Sequence, residues 1–207
     1  MLRRTQAIPD AFCWTRFGTE AGETIEEIVG RKERERLDND GIFFWGIGNS
    51  VAPAMSALIE RSDRPEVLFS PIRGRPRAVD CAPAARFAWT AGHDLHGRRF
   101  KLPPAARVTS GGRRGGSARA HYALVCASAA PLSIDSGDEE LDFLALRNLM
   151  SGNPLGASQV TAVVTVLEDQ APSDMRYRVA MRAELAPPYF VRLTEVTEEA
   201  VPLAAVS

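Results

Sequence analysis

The chain is short of most features that assign a protein quickly. No apolar run in its 207 residues approaches the roughly eighteen that a membrane-spanning helix needs, so no span is expected. Its three cysteines, Cys13, Cys81 and Cys126, are odd in number and widely spaced. That argues against a disulfide framework and for a reducing compartment, with the cytoplasm as the default. The opening "MLRRTQAIPDAF" carries two arginines but no apolar h-region, so no signal peptide is expected. Histidine is scarce too. His93 and His96 stand as H-x-x-H with Cys81 and Cys126 on either side, a spacing that fits no zinc pattern. There is no phosphate-binding G-x-x-x-x-G-K-[ST] and no nucleophile-bearing G-x-S-x-G. "GIG" at 46–48 starts a dinucleotide-type glycine loop, but Val51 stands where its third glycine belongs. No paired-carboxylate motif stands out. The sequence therefore assigns no catalytic residue, metal or cofactor.

What is present is an ordinary globular composition, 45% apolar and 25% charged, in a length that suits a single domain over 1–207. The charge is uneven along it. Lys/Arg and Asp/Glu number 7 and 10 in residues 1–60, 13 and 4 in 61–131, and 5 and 12 in 132–207. A basic middle between acidic flanks points to an anionic partner for one face, or to acidic flanks folded over it.

The periodicities give an α+β order. "AFCWTRF" at 11–17 predicts a first strand. Residues 19–41 predict a helix, with Thr24 and Glu27 as a capping box, Ile25, Ile28 and Val29 as its apolar face and Gly41 at its C-terminal end. "IFFWGI" predicts the second strand, and Pro53 opens a helix with Met55, Leu58 and Ile59 inward. "PEVLFSPI" at 65–72 predicts the next strand. Residues 73–119 read as an Arg/Gly/Pro-rich insertion, with "ARFAW" as a short strand and "SGGRRGGSARA" as a loop. Further strands are predicted at 121–127, 159–168, 176–185 and 189–196. A third helix is predicted over 138–152, where Leu141, Leu144, Ala145 and Leu149 share one side. Seven strands and three helices in mixed order predict a curved, mostly antiparallel sheet or open barrel with helices outside it.

The segment "GIFFWGIGNSV" at 41–51 raises the functional question. An aromatic strand runs into a glycine turn with Asn49 and Ser50 behind it. Trp45 and Trp14 are either core residues or walls of a pocket. Asn49 and Ser50 either cap the following helix or present hydrogen-bonding groups to a ligand. As a pocket, Trp45, Trp14 and Trp89 supply faces, Thr15, Asn49, Ser50 and Ser70 supply donors and acceptors, and Gly46 and Gly48 admit a ligand close to the backbone. Arg73, Arg75, Arg77, Arg98, Arg99, Arg113 and Arg114 would meet phosphates.

The order of "FCWTRFG", "FFWGIGNSVAPAMSALI", "PEVLFSPIRG" and "PLSIDSGDEELDFLALRNLMSGNPLGASQV" resembles the PUA-like superfamily, specifically its YTH and EVE domains. The likeness spans about the first 75 residues and 121–165; the tail after about 168 has no equivalent. It implies a non-catalytic reader that holds a modified, methylated and flipped base of DNA or RNA in an aromatic pocket. It also implies a separate effector protein, and the Ala- and Arg-rich composition points to a bacterial cytoplasmic setting. The alternatives are a nuclease or base-processing hydrolase on the same scaffold, and a protein-interaction module.

Overall fold

In a computed structural model the Thr24–Glu27 pair starts the first helix as its spacing requires. The Thr24 hydroxyl accepts from the Glu27 amide at 3.2 Å, and the Thr24 amide donates to the Glu27 carboxylate at 2.7 Å. This capping box opens α1 (Ile25–Asp38), which buries Ile28 and Val29. The cap at the other end is Asn39. Gly41 follows with φ +92°, its amide donating to the Arg36 carbonyl at 2.8 Å. A Cβ there would sit 3.2 Å from the Ser128 carbonyl, so glycine serves both the turn and the close approach. Residues 7–18, 24–48, 51–72, 121–134 and 139–195 are described, with short strands at 87–89, 94–95 and 98–99.

The strands are β1 (Ala11–Phe17), β2 (Ile42–Gly48), β3 (Glu66–Pro71), β4 (Phe87–Trp89), β5 (Asp94–Leu95), β6 (Arg98–Arg99), β7 (His121–Ala127), β8 (Glu140–Asp142), β9 (Leu146–Asn148), β10 (Thr161–Val166), β11 (Arg176–Arg178) and β12 (Met181–Glu195); α2 is Ala52–Arg61. Eight form one sheet in the order β2-β7-β12-β3-β1-β10-β9, with β4 paired to β12. Its pairings are antiparallel except β1 with β3, which run parallel. The fold is therefore α+β, as its periodicities indicate, with a mixed, mostly antiparallel sheet.

Alternation along β1 divides the core in two. Cys13 and Phe17 pack with Phe43, Trp45, Phe69, Leu124 and Met181 on one face, which α1 and α2 cover through Ile28, Val29, Met55 and Leu58. Phe12 and Trp14 pack with Leu68, Leu141, Phe143, Leu146 and Val179 on the other. The sheet curls round the first core. β2 lies three strands from β3 in the hydrogen-bonded order, about 14 Å on a flat sheet. Yet the Trp45 ring centroid is 4.7 Å from that of Phe69. β12 permits the curl: its register slips between Leu185 and Phe190, where Tyr189 takes φ 70°.

β2 ends the hydrogen-bonded order, and α1 closes its open edge with a buried ion pair. The Phe44 amide donates to Glu35 Oε1 at 3.2 Å, the Phe44 carbonyl accepts from Lys32 Nζ, and Lys32 Nζ meets Glu35 Oε2 at 2.8 Å. An edge that would otherwise offer unpaired backbone groups is thereby satisfied within the chain.

The third helix, expected over 138–152, is not formed. This stretch makes β8, a 3-10 turn (Phe143–Ala145) and β9. Pairing wins over the helical spacing: β8 pairs with β11 and β9 with β10. The Asp142 carboxylate accepts from the Leu144 amide at 3.0 Å and from the amide and hydroxyl of Ser173 at 2.6 and 2.5 Å. Leu144, expected inside, is 43% exposed. Among the described residues there are two α-helices.

Candidate functional site

Buried polar side chains are costly unless partnered, so where they gather is informative. Among the described residues they form two groups. One is the α1 set of Lys32, Glu35, Arg36 and Asn39; the other, at one end of β1 and β3, is Thr15, Arg16 and Ser70.

The α1 set is internally balanced. Lys32 pairs with Glu35, and Arg36 is held by both carboxylate oxygens of Glu33 at 2.7 and 2.8 Å. Burial pushes the Lys32 ammonium below its usual range, against the opposing pull of Glu35. Arg182 is balanced as well: its Nε lies 2.7 Å from Glu66 and its Nη1 3.6 Å from Glu139. Burial raises the Glu66 carboxyl although Arg182 draws it down. These charges neutralise one another, although Arg182 Nε and Glu66 Oε2, 2.7 Å apart, are not aligned as a hydrogen bond. A surface depression of about 470 Å³ between the end of α1 and the end of β7 has the already chelated Arg36 in its wall.

The β1/β3 set is different. Parallel pairing sets Arg16 beside Ser70 and Thr15 beside Phe69. Ser70 is fully buried and accepts from Trp14 Nε1 at 3.0 Å. On the opposite face Thr15, 1% exposed, shares a hydrogen bond with Thr161 across β10 at 2.9 Å. Arg16 is 8% exposed. Its guanidinium carbon lies 5.6 Å from the Trp14 ring centroid and 5.4 Å from that of Tyr177, within cation–π range of both. Nη1 donates to the Tyr177 hydroxyl at 3.0 Å and Nη2 to the Ala157 carbonyl at 2.8 Å. Nε is buried and, among the described residues, has no hydrogen-bond partner. Among the described residues no carboxylate is paired with this guanidinium. A buried cation without an anion is the opposite of the pattern at Arg36 and Arg182.

The expected pocket residues thus divide. Trp14 and Ser70 lie on the same face as Arg16, whereas Thr15, next to it in β1, faces the other side of the sheet. Trp45 is 9% exposed and lies in the other core. Its ring meets Phe17 at 5.5 Å and Phe69 at 4.7 Å, with Lys32 Nζ 5.9 Å from its centroid. Trp45 and Trp14 therefore occupy opposite faces of the sheet. Gly46 is exposed, with no atom within 4 Å of the place its Cβ would take, and Gly48 pairs with His121 through the backbone. Trp89, Arg98 and Arg99 enter through the backbone of β4 and β6. Asn49, Ser50, Arg73, Arg75, Arg77, Arg113 and Arg114 lie outside the described residues, as do His93, His96 and Cys81. Among the described residues no group of three His, Cys, Asp or Glu side chains could hold a metal ion.

Two members of the site have no local sequence signal. Arg16 reads as an ordinary solvated position in a strand, and Tyr177 lies 161 residues away from it. Only the sheet brings them together. Among the described residues no helix is long and apolar enough to cross a membrane. No protein-family model, curated protein or solved structure matches this chain.

Proposed function

We propose that this chain is a non-catalytic nucleic-acid reader of PUA-like fold. It binds a modified, methylated and flipped base of DNA or RNA at the Arg16 end of β1 and β3. The observation that carries the reading is the Arg16 guanidinium, buried beside the rings of Trp14 and Tyr177, which meet each other edge-on at 5.3 Å, with no carboxylate paired to it among the described residues. Aromatic rings and arginine planes are the surfaces on which unstacked bases rest, at about 1–3 kcal/mol per base. Taking a base out of its stack costs a few kcal/mol, and stacking together with edge hydrogen bonds offsets that cost. Tyr177 is only partly buried, and its ring meets the buried Trp14 ring edge-on at 5.3 Å. The α+β order and the curled, mostly antiparallel sheet support the PUA-like assignment. The basic middle of the chain suits a phosphate backbone. The proposed setting is a bacterial cytoplasm, with a separate effector protein acting on what is read.

Fluorescence anisotropy tests this. Single- and double-stranded DNA and RNA carrying unmodified bases, 5-methylcytosine, 5-hydroxymethylcytosine or N6-methyladenine are titrated at two salt concentrations. Tyr177→Ala and Trp45→Ala run beside the parent protein, with circular dichroism confirming that each folds. Modification-dependent binding that Tyr177→Ala abolishes and Trp45→Ala retains is the expected result. Loss only in Trp45→Ala moves the pocket to the other face of the sheet. Absence of all nucleic-acid binding refutes the reader.

A further inference from the structure

The donors of Arg16 are unequally used. A guanidinium presents five N–H groups, and its Nε and Nη2 hydrogens point the same way along one edge, spaced for two oxygens of one oxyanion. On Arg16, Nη2 donates to the Ala157 carbonyl at 2.8 Å, and among the described residues Nε has no hydrogen-bond partner. The opposite corner is anchored, with Nη1 on the Tyr177 hydroxyl. The ring contacts with Trp14 and Tyr177 hold the guanidinium plane in place before any ligand arrives. The group on Nη2 belongs to an exposed loop. Gly156, Ala157 and Ser158 are exposed, and nothing lies within 4 Å of where a Gly156 Cβ would be.

We propose that Arg16 is an oxyanion subsite that takes a phosphate group side-on across Nε and Nη2, displacing the Ala157 carbonyl. The phosphate supplies the anion that no described carboxylate supplies, and it satisfies Nε. A phosphate fits better than a carboxylate because the guanidinium lies beside the partly exposed ring of Tyr177, a surface suited to a nucleotide, and because 13 Lys/Arg against 4 Asp/Glu in residues 61–131 favour a polyanion. The subsite rests on the reader assignment only for the source of the phosphate, whether a nucleic-acid backbone, a mononucleotide or the free ion.

The experiment follows the arginine Nε–H signals of the ¹⁵N-labelled full chain. Inorganic phosphate, adenosine 5′-monophosphate and the oligonucleotides above are added in turn, each against chloride at matched ionic strength. Arg16→Lys identifies the Arg16 signal by its loss. It keeps the positive charge but not the two-donor edge. The expected result is a saturable shift of that one signal with inorganic phosphate, and affinity at least tenfold weaker in Arg16→Lys. Thermal unfolding of the parent and of Arg16→Met gives a second readout. Phosphate is expected to raise the midpoint of the parent and to leave that of Arg16→Met unchanged. A parent signal that phosphate moves no more than chloride does overturns the subsite, as does phosphate stabilisation that persists in Arg16→Met. Modification-dependent oligonucleotide binding that is equal in parent and Arg16→Lys overturns the subsite and leaves the reader standing. Phosphate binding at Arg16 without any oligonucleotide binding supports the subsite and refutes the reader.

Discussion

Glu35→Ala should be one of the most damaging single substitutions in this chain. Glu35 is 5% exposed and makes two contacts at once: Oε2 holds the Lys32 ammonium at 2.8 Å, and Oε1 accepts the Phe44 amide at 3.2 Å. Removing one partner of a buried ion pair costs about 3–5 kcal/mol, because the other charge stays behind unpaired. The orphaned Phe44 amide belongs to the same loss, since an unmade buried hydrogen bond alone costs about 1–3 kcal/mol. Urea unfolding followed by circular dichroism should therefore give a loss of about 3–5 kcal/mol in total. Glu35→Gln separates the parts: its amide oxygen still accepts from Phe44 but cannot neutralise Lys32. The defect should also depend on pH. Burial lowers the folded-state pKa of Lys32, so the folded state releases this proton before the unfolded chain does. Stability from this group then rises with pH from the folded pKa up to 10.5, and the Glu35→Ala defect should shrink in alkali as the ammonium neutralises. Lys32→Met/Glu35→Leu removes both charges and should recover most of the electrostatic loss. It also leaves the β2 edge open, and concentration-dependent self-association by light scattering is expected. A Glu35→Ala cost below about 1 kcal/mol, the range of exposed pairs, would refute the reasoning by showing that Lys32 reaches water.

Ser70→Ala strands the indole N–H of Trp14 in a site with no exposure, and should cost about 1–3 kcal/mol in urea with a shifted tryptophan emission. In a Cys81→Ser background the native thiols should resist Ellman's reagent until the chain unfolds, since Cys13 and Cys126 are both fully buried. The same thiols set an alkaline limit. Burial pushes Cys13 up to about 12 and Cys126 upward from 9.0, so native protons are retained where the unfolded chain releases them. Their contribution is intact below pH 9 and falls by about 1.4 kcal/mol per thiol per pH unit above it, partly offset by Lys32, which should appear in unfolding midpoints measured from pH 8 to 11. Leu141→Ala should cost about 2–5 kcal/mol and Leu144→Ser under about 0.5, whereas a helix over 138–152 would make both costly.

Features governed by neighbours in sequence could be read directly. The Thr24–Glu27 box, the inward Ile28 and Val29, Pro53 in the first turn of α2 and the strands at 11–17, 42–48, 66–71 and 121–127 follow from capping chemistry, a missing amide donor and short apolar, aromatic and β-branched runs. Each depends on atoms a few residues apart. The segment at 140–148 could not be read that way. Its leucines fit a helical face, but hydrogen-bonded pairing with β10 and β11 and the Asp142–Ser173 contact override that spacing.

The candidate site shows the same division. Trp14, Thr15 and Ser70 were legible as polar and aromatic positions on two strands; the parallel register of β1 and β3 brings Trp14 and Ser70 together and turns Thr15 to the other face. That Trp45 lies on the other face was not legible, because it depends on how far the sheet curls between β2 and β3. Arg16 was least legible of all. In sequence it is one arginine among many, with nothing to separate it from a solvated charge. The tertiary structure buries it, brings Tyr177 from 161 residues away and Ala157 from 141, and places no described carboxylate in reach. The chain alone thus determined local hydrogen bonding and where these strands and helices lie along it. Burial of a charge, and whether an opposite charge meets it, is a property of surfaces closed by distant segments, and only the folded sheet decided it.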